Sequence, residues 1–439
     1  MASSVGERIN SRLAALWDST PNATIAGAVF TAGIVVFLAV AFVSRPSEPN
    51  VGSAQSSTAQ PFAVPDPTPT EEAPPVTEAD PFFVVGGQIV DPDGNLFVPV
   101  GVNGAIKTTD YPYVYEGGNG GINGRLESIG IWRWNTVRAT LRCADESGVP
   151  TQQEVIDGID ETVQELTQAR IVVILACHDG TGSDLVLDSA LDLQVRAFWD
   201  EVVPRYQDNP YVWFNFFNEP QTKFDPEVWL ELHRFYYDRY RSTGAENIMV
   251  FDLPNFGQGI DLLAGDTFAD ELGGACNTVF GWHAWGSLSG VQASDEDYAA
   301  LAATALRRNL AVTITEAGVP EPLDAGTAGN PEWNTSGYYA ALKVAESSPI
   351  GLLWWHGTGD TSEELFYPLK ADRSGFWTAS SSGALTSAGA SFWEYSHRER
   401  TVEQFNGDLT DSGCPSSFDI ALNDKINSEV DETTVDAQG

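Results

Sequence analysis

Eight short runs of β-branched and apolar residues recur between residues 96 and 355. They are Leu96–Val102, Trp132–Thr140, Ile171–Cys177, Tyr211–Phe217, Ile248–Leu253, Thr278–Trp282, Ala311–Thr315 and Ile350–Trp355. Stretches of helical length separate most of them. Thr151–Thr167, Leu191–Tyr206, Asp225–Arg241, Asp295–Asn309 and Pro331–Glu346 space their apolar residues near the helical period. Runs that are apolar on both faces suit a parallel sheet covered by helices, and eight such strands close a barrel. The expected fold class is therefore α/β, a (β/α)8 TIM barrel over residues 81–397. A doubly wound open sheet is the rival, but no Gly-rich fingerprint follows the first run. The glycines of Gly117–Gly124 follow a loop and are a weak phosphate signal.

The flanks read differently. Residues 1–23 are polar and form a short cytoplasmic segment in this reading. Thr24 to Val43 runs without a charge. As a helix that is roughly 30 Å, enough to cross a hydrocarbon core and longer than the apolar part of a secretory signal. A transmembrane anchor is expected, with a cleaved signal as the alternative because Ala39-Val40-Ala41 resembles a cleavage site. Residues 44–80 hold eight prolines among small polar residues. Such a spacer is extended and semi-rigid. Residues 398–439 carry ten carboxylates and three basic residues and read as an acidic tail. The body is expected outside the cytoplasm, either anchored at the surface or secreted.

Charge narrows the function. The chain carries 61 Asp and Glu against 23 Lys and Arg, a formal net charge of −38. It repels phosphate backbones, so nucleic acid is excluded as a partner and polyanionic substrates are disfavoured. With 42% hydrophobic residues and 13 Trp, disorder is excluded for most of the length. Only 5 of the basic residues are Lys. That balance fits a protein kept soluble in salty water or an ordinary acidic secreted protein.

In a barrel of this kind chemistry sits where the strands end. The second run ends near Arg138 and the third at His178-Asp179. The fourth ends at Asn218-Glu219-Pro220 and the sixth at His283, with Trp285 just beyond. The seventh ends at Glu316 and the eighth at Trp355-His356. A barrel aims Glu219 and Glu316 into one cleft. Two carboxylates there can split a glycosidic bond, one protonating the leaving oxygen while the other attacks the anomeric carbon or activates water. Bland alternatives exist: a structural salt bridge for Arg138, and satisfied core positions for His178 and His283. His178-Asp179 lacks a second His at ligand spacing, so no metal is expected, and no cofactor.

Residues 82–397 resemble glycoside hydrolase family 5, retaining endo-β-glycanases on a (β/α)8 barrel. The resemblance is carried by Asn135-Thr-Val-Arg138, His178–Asp184, Phe214–Pro220, His283 and Thr315-Glu316-Ala-Gly318. It implies that Glu219 is the acid/base, Glu316 the nucleophile and Asn218 the ligand of the sugar 2-hydroxyl. It also implies that Arg138 keeps Glu316 ionised and that His178 and His283 line the cleavage subsite. Trp355 is then the platform under that sugar, with Trp354 as the alternative register. One position departs from the family: Trp285 stands where a Tyr usually contacts the nucleophile, so that hydrogen bond needs another donor. His178–Asp184 and Asp252–Gln258 look like the bacterial endo-β-1,4-mannanases. The expected partner is thus a neutral β-linked polysaccharide, mannan before glucan. An inactive wall-bound carbohydrate-binding protein is the reading from a different class. Tyr111, Tyr113, Tyr115, Trp282, Trp285, Trp333 and Trp377 are candidate sugar platforms, with packing under long loops as the alternative for each. A retaining mechanism predicts carboxyl groups about 5–5.5 Å apart. A barrel would bring Cys143 near Cys177 and Cys276 near Cys414, so these pairings are expected, with free buried thiols, Cys177 above all, as the alternative.

Overall fold

The computed structural model describes residues 81–105, 126–144, 152–183, 185–220, 225–265, 272, 275–288, 291–319, 331–355, 385, 387–400 and 402–406. The expected span 24–43, the linker 44–80, most of the acidic tail, and Tyr111, Tyr113, Tyr115, His356, Trp377 and Cys414 lie outside the described residues. Among the described residues no helix is long and apolar enough to cross a membrane.

Eight parallel strands close a barrel: β4 (Val100–Ala105), β5 (Thr136–Leu141), β6 (Val172–Cys177), β7 (Val212–Asn215), β8 (Met249–Asp252), β9 (Thr278–His283), β12 (Val312–Ala317) and β13 (Gly351–Trp354). Each lies within or overlaps one of the eight expected runs. The open-sheet alternative is thereby excluded, since β13 pairs with β4 and shuts the ring. Helices α2 (Gln152–Gln168), α3 (Ala190–Tyr206), α4 (Pro226–Arg241), α5 (Asp295–Arg307) and α6 (Pro331–Ser347) follow the periodic stretches. Their starts are chemically marked. Ser189 accepts from the Asp192 amide, Asp225 caps α4 ahead of Pro226, and Ser294 with Asp297 makes a capping box.

The first expected run is not one strand. Leu96–Phe97 is β3, paired antiparallel to a hairpin of β1 (Phe83–Val85) and β2 (Gln88–Val90). Pro99, which has no amide hydrogen, lies between β3 and β4. This small sheet closes the barrel floor. Phe82, Val84 and Ile89 pack against Ile174, Trp213, Val250, Val279 and Leu353, which point inward from five strands. Asn277 stitches the two together, donating to the Phe82 carbonyl (2.9 Å) and accepting from the Val84 amide (3.1 Å). The packed body also extends past His397. The Leu96 amide donates to Glu403 O at 2.8 Å, and Phe405 is buried beside Phe83, Val85 and Val90.

The opposite face of each strand packs on the helices. Trp282 is fully buried against Tyr298 of α5, ring centroids 4.6 Å apart. Trp354 is buried against Tyr338 and Phe392. Neither is a sugar platform. Each directly precedes an inward residue, and the two-residue alternation of a strand sends it to the helical side. Two smaller helices, α1 (Leu126–Ile131) and α7 (Ser387–His397), and a two-stranded hairpin of β10 (Ser287–Leu288) and β11 (Val291–Gln292), were not marked by periodicity. At six to eleven residues for the helices and two for each strand, they are too short to establish a period.

Candidate active site

Above the apolar floor the inward positions turn polar: Asn103 on β4, Arg138 on β5, Asn215 on β7, Asp252 on β8 and His283 on β9, all fully buried. Gly281 makes room for the change, since a Cβ there would lie 2.2 Å from Asp252 Oδ1. Glu316 reaches the same layer by an irregularity. The pairing of β12 with β9 shifts register between Ile314 and Glu316, and that with β13 shifts between Ile314 and Ala317. Strict alternation would send Glu316 outward with Ile314. The bulge turns it inward, opposite His283.

These side chains form one connected cluster. Arg138 Nη1 donates to Glu316 Oε1 at 2.7 Å and to Asn103 Oδ1 at 3.0 Å. Its Nη2 reaches Asn218 Oδ1 (2.7 Å), Asn215 Oδ1 (2.8 Å) and Asp252 Oδ2 (2.9 Å). His283 Nδ1 lies 2.9 Å from Glu219 Oε1 and 3.2 Å from Glu316 Oε2, and its Nε2 lies 3.1 Å from Asp252 Oδ2. Nδ1 makes a hydrogen bond to Glu219, Nε2 meets Asp252 at ion-pair distance without hydrogen-bond geometry, and three carboxylates around the ring favour its cationic form. Burial opposes that charge, but Glu316, Asp252 and Glu219 together push His283 up to about 10. The imidazole then offers no lone pair. Glu219, His283 and Glu316, whose nearest donor atoms all lie within 4.8 Å of one another, therefore read as a proton-sharing cluster rather than a metal cage.

Three carboxylates face two cations here, which leaves one negative charge in excess. Burial pushes Glu316 up to about 7, with His283 and Arg138 pulling it down and Glu219 and Asp252 adding to the rise. Arg138 therefore acts in the expected direction, yet burial outweighs it. Asp252 is held below the usual carboxylate range, because Arg138 and His283 overcome its burial. Glu219, at φ +48°, turns back over the cleft, and its amide points to Asp252 Oδ2 (3.3 Å).

The remaining expected residues surround this cluster. Asn218 Nδ2 donates to Thr181 Oγ1 at 3.0 Å, and Thr181 Oγ1 donates to His178 O at 2.7 Å. Trp355 stacks on His178, with centroids 5.7 Å apart and planes 20° from parallel. Trp285 is half-buried with its indole against Gly318, where a Cβ would lie 3.6 Å from the ring and 2.6 Å from Trp355 O. Glu316 is met by Arg138 on one oxygen and by His283 on the other. Half-buried Trp333 lies next door, its carbonyl against Gly286. Asp179 is structural. It accepts from the Cys143 and Ala144 amides and pairs with Arg142 at 2.9 Å. The expected Cys143–Cys177 disulfide forms, with Cα atoms 5.8 Å apart, and ties the ends of β5 and β6 below His178. Cys276 is also disulfide-bonded.

Asn103, Asn215 and Asp252 were missed as site residues. Asn215 and Asp252 are each a polar residue at the inward position nearest the C-terminal end of an otherwise apolar run, a signal that was available, whereas Asn103 falls just past the end of the first expected run, Leu96–Val102.

A family model described as Cellulase (glycosyl hydrolase family 5) matches residues 113–360, more than half of the chain. The chain belongs to glycosyl hydrolase family 5. Among curated proteins it is similar to a mannan endo-1,4-beta-mannosidase of Salipaludibacillus agaradhaerens. The two are 25% identical over 314 residues, covering 67% of this chain and 87% of that protein. Among solved structures it is similar to the catalytic domain of a mannanase from Streptomyces sp. SirexAA-E, with a TM-score of 0.51 at 21% identity. That match covers 78% of this chain and 99% of the other. It is also similar to an endo-beta-1,4-glucanase of Xanthomonas axonopodis pv. citri, with a TM-score of 0.50 at 17% identity, covering 69% and 100%. The two structures share the barrel fold with this family 5 chain.

Proposed function

We propose that this family 5 glycoside hydrolase is a retaining endo-β-1,4-mannanase. One observation carries the mechanism. Glu219 and Glu316 approach within 4.8 Å through their oxygens while both touch His283. A separation this short fits the ~5–5.5 Å of retaining sites better than the ~6.5–9.5 Å of inverting ones. Glu316 is the nucleophile, because Arg138 and His283 hold its two oxygens and aim them. Glu219 is the acid/base. Its side chain keeps some exposure (16%) at the mouth. Double displacement follows: Glu316 attacks the anomeric carbon as Glu219 protonates the departing oxygen. Water, deprotonated by Glu219, then releases the sugar.

Mannan as substrate is supported by the named activity of the curated relative and by the likeness of His178–Asp184 and Asp252–Gln258 to mannanases. The description of the family model favours the second reading, an endo-β-1,4-glucanase. The test is release of reducing ends from β-mannan, β-glucan and xylan, with proton NMR of the first-formed anomer. The expected product is a β-anomer from mannan. Glu316→Gln should lose on the order of 10⁴-fold or more. A first-formed α-anomer rejects retention. Wild type and variant equally inert on all three polymers would leave a carbohydrate-binding protein.

We also propose that residues 24–43 carry the body out of the cytoplasm as an anchor, with 44–80 as spacer. The uncharged run supports this, as does a disulfide, which persists in oxidising compartments. Full-length protein expressed in bacteria should resist carbonate extraction from membranes, and deletion of 24–43 should abolish that. A mature chain starting after Ala41 in the medium selects the cleaved signal. Wild type confined to the cytosol rejects export.

A further inference from the structure

The bulge of β12 carries three consecutive carbonyls, and two of them are held by backbone. The Glu316 carbonyl accepts from the Ala284 amide at 2.8 Å, and the Ala317 carbonyl from the Trp355 amide at 2.9 Å. Thr315 differs, because it pairs in register with neither β9 nor β13. It is fully buried, and a buried carbonyl needs a donor. A side chain supplies it. Asn103 Nδ2 donates to Thr315 O at 2.8 Å and to Trp354 O at 3.2 Å. Asn103 lies on β4, which β13 separates from β12, so its amide reaches over one whole strand.

The other end of the same amide faces Arg138. Asn103 Oδ1 accepts from Arg138 Nη1 at 3.0 Å, and that nitrogen also donates to Glu316 Oε1 at 2.7 Å. One side chain thus touches both supports of Glu316: the bulge that turns it inward and the guanidinium that meets its oxygen. A primary amide has two N–H donors and one oxygen. All are engaged, which fixes its orientation. Reversed, it would aim its oxygen at two carbonyls and its N–H groups at a cation.

We propose that Asn103 is a positioning residue for the nucleophile. Fully buried, it acts through Glu316. Nδ2 holds the bulge at Thr315 and Oδ1 sets Arg138, so that Glu316 stands at attack distance from the anomeric carbon. The inference rests on the reading of Glu316 as the nucleophile of a hydrolase.

The test uses Asn103→Leu and Asn103→Ser in the full-length protein. Leu has about the same size and no polar atom, while Ser is smaller and keeps one donor. β-1,4-Mannopentaose and cellopentaose need both nucleophile and acid. 2,4-Dinitrophenyl β-mannobioside and β-cellobioside need the nucleophile but little acid, because the phenolate leaves unaided. Per folded molecule, Asn103→Leu should lose about 100-fold in kcat/KM on the active pentasaccharide and on its matching aryl glycoside alike. Asn103→Ser should lose less. Binding of the disaccharide product, which involves no attack, should stay within about threefold. Glu219→Gln is the contrast and should lose far more on the pentasaccharide than on the aryl glycoside. A near wild-type rate per folded molecule, a spared aryl glycoside, or product binding that falls with the rate overturns the positioning role while the hydrolase reading stands. Failure of both Asn103 variants to fold also overturns it, since Asn103 then serves folding. A wild type inert on all four substrates overturns the hydrolase reading and the inference with it.

Discussion

The floor and the mouth of the barrel are lined by the same strands, yet they hold opposite chemistry. At the floor, Ile174, Trp213, Val250, Val279 and Leu353 meet Phe82, Val84 and Ile89 in an apolar cluster. One inward position higher on the same strands, Trp213 gives way to Asn215 and Val250 to Asp252. A step of two residues is roughly 6.6 Å. Over that distance an apolar core becomes a buried cluster of Arg138, His283, Asp252 and Glu316. Such clusters are commonly less stable than apolar packing of equal volume. The difference teaches a division of labour: the floor supplies stability that the mouth spends on holding charges in place.

The largest expected effect breaks the floor. Trp213 is fully buried, with Phe82 and Phe97 edge-on to it at 5.4 and 5.9 Å. Trp213→Ala should destabilise the fold by about 3–5 kcal/mol in denaturant unfolding. Trp213→Phe keeps much of the packing and should lose far less, since the indole Nε1 finds no hydrogen-bond partner among the described residues. In both variants the pH dependence of the remaining activity should stay where it is. A pH limb that moves with Trp213 would show that floor and mouth are not independent.

The same contrast explains what the sequence could and could not show. The eight barrel strands and the five long helices were legible because period two and period 3.6 record burial, whereas the β1–β3 sheet under the floor, with strands of two or three residues, was not. Glu219 and Glu316 were legible as carboxylates at strand ends. The way Glu316 comes to face inward was not, because the register shift at Ile314–Glu316 breaks the alternation on which such reading depends. Trp282 and Trp354 misled for the complementary reason. Aromatic content near a rim was weighed, while their place one residue out of phase with His283 and Trp355 already assigned them to the helices. The role of Asp252 was hidden because its partners, Arg138, His283 and the Glu219 amide, come from three other strands. No local pattern records a contact between residues more than thirty positions apart in the chain.

Asp252→Asn sharpens the comparison from the side of the mouth, with a smaller effect. The amide keeps the shape and removes one negative charge, 2.9 Å from Arg138 and 3.1 Å from His283. Two consequences have the same sign. Glu316 loses a repelling neighbour, so its value of about 7 falls and the acid limb of kcat/KM moves to lower pH. His283 loses one of three carboxylates, so its value of about 10 falls and its part of the alkaline limb also moves to lower pH. Stability follows by linkage. The folded His283 holds its proton more tightly than an unfolded one, so its contribution is complete below about 6.5 and is lost as pH rises through about 10. In the variant the onset stays near 6.5, set by the unfolded state, while the loss ends at a lower pH and is smaller in total. We expect kcat/KM at the optimum to drop about 10- to 100-fold, or ~1.4–2.7 kcal/mol, less than the floor loses with Trp213→Ala. A pH–rate profile and melting temperatures from pH 6 to 10 decide it. If both limbs stay fixed while the melting temperature falls evenly across that range, Asp252 is packing, and the mouth owes its charge state to Arg138 and the two glutamates alone.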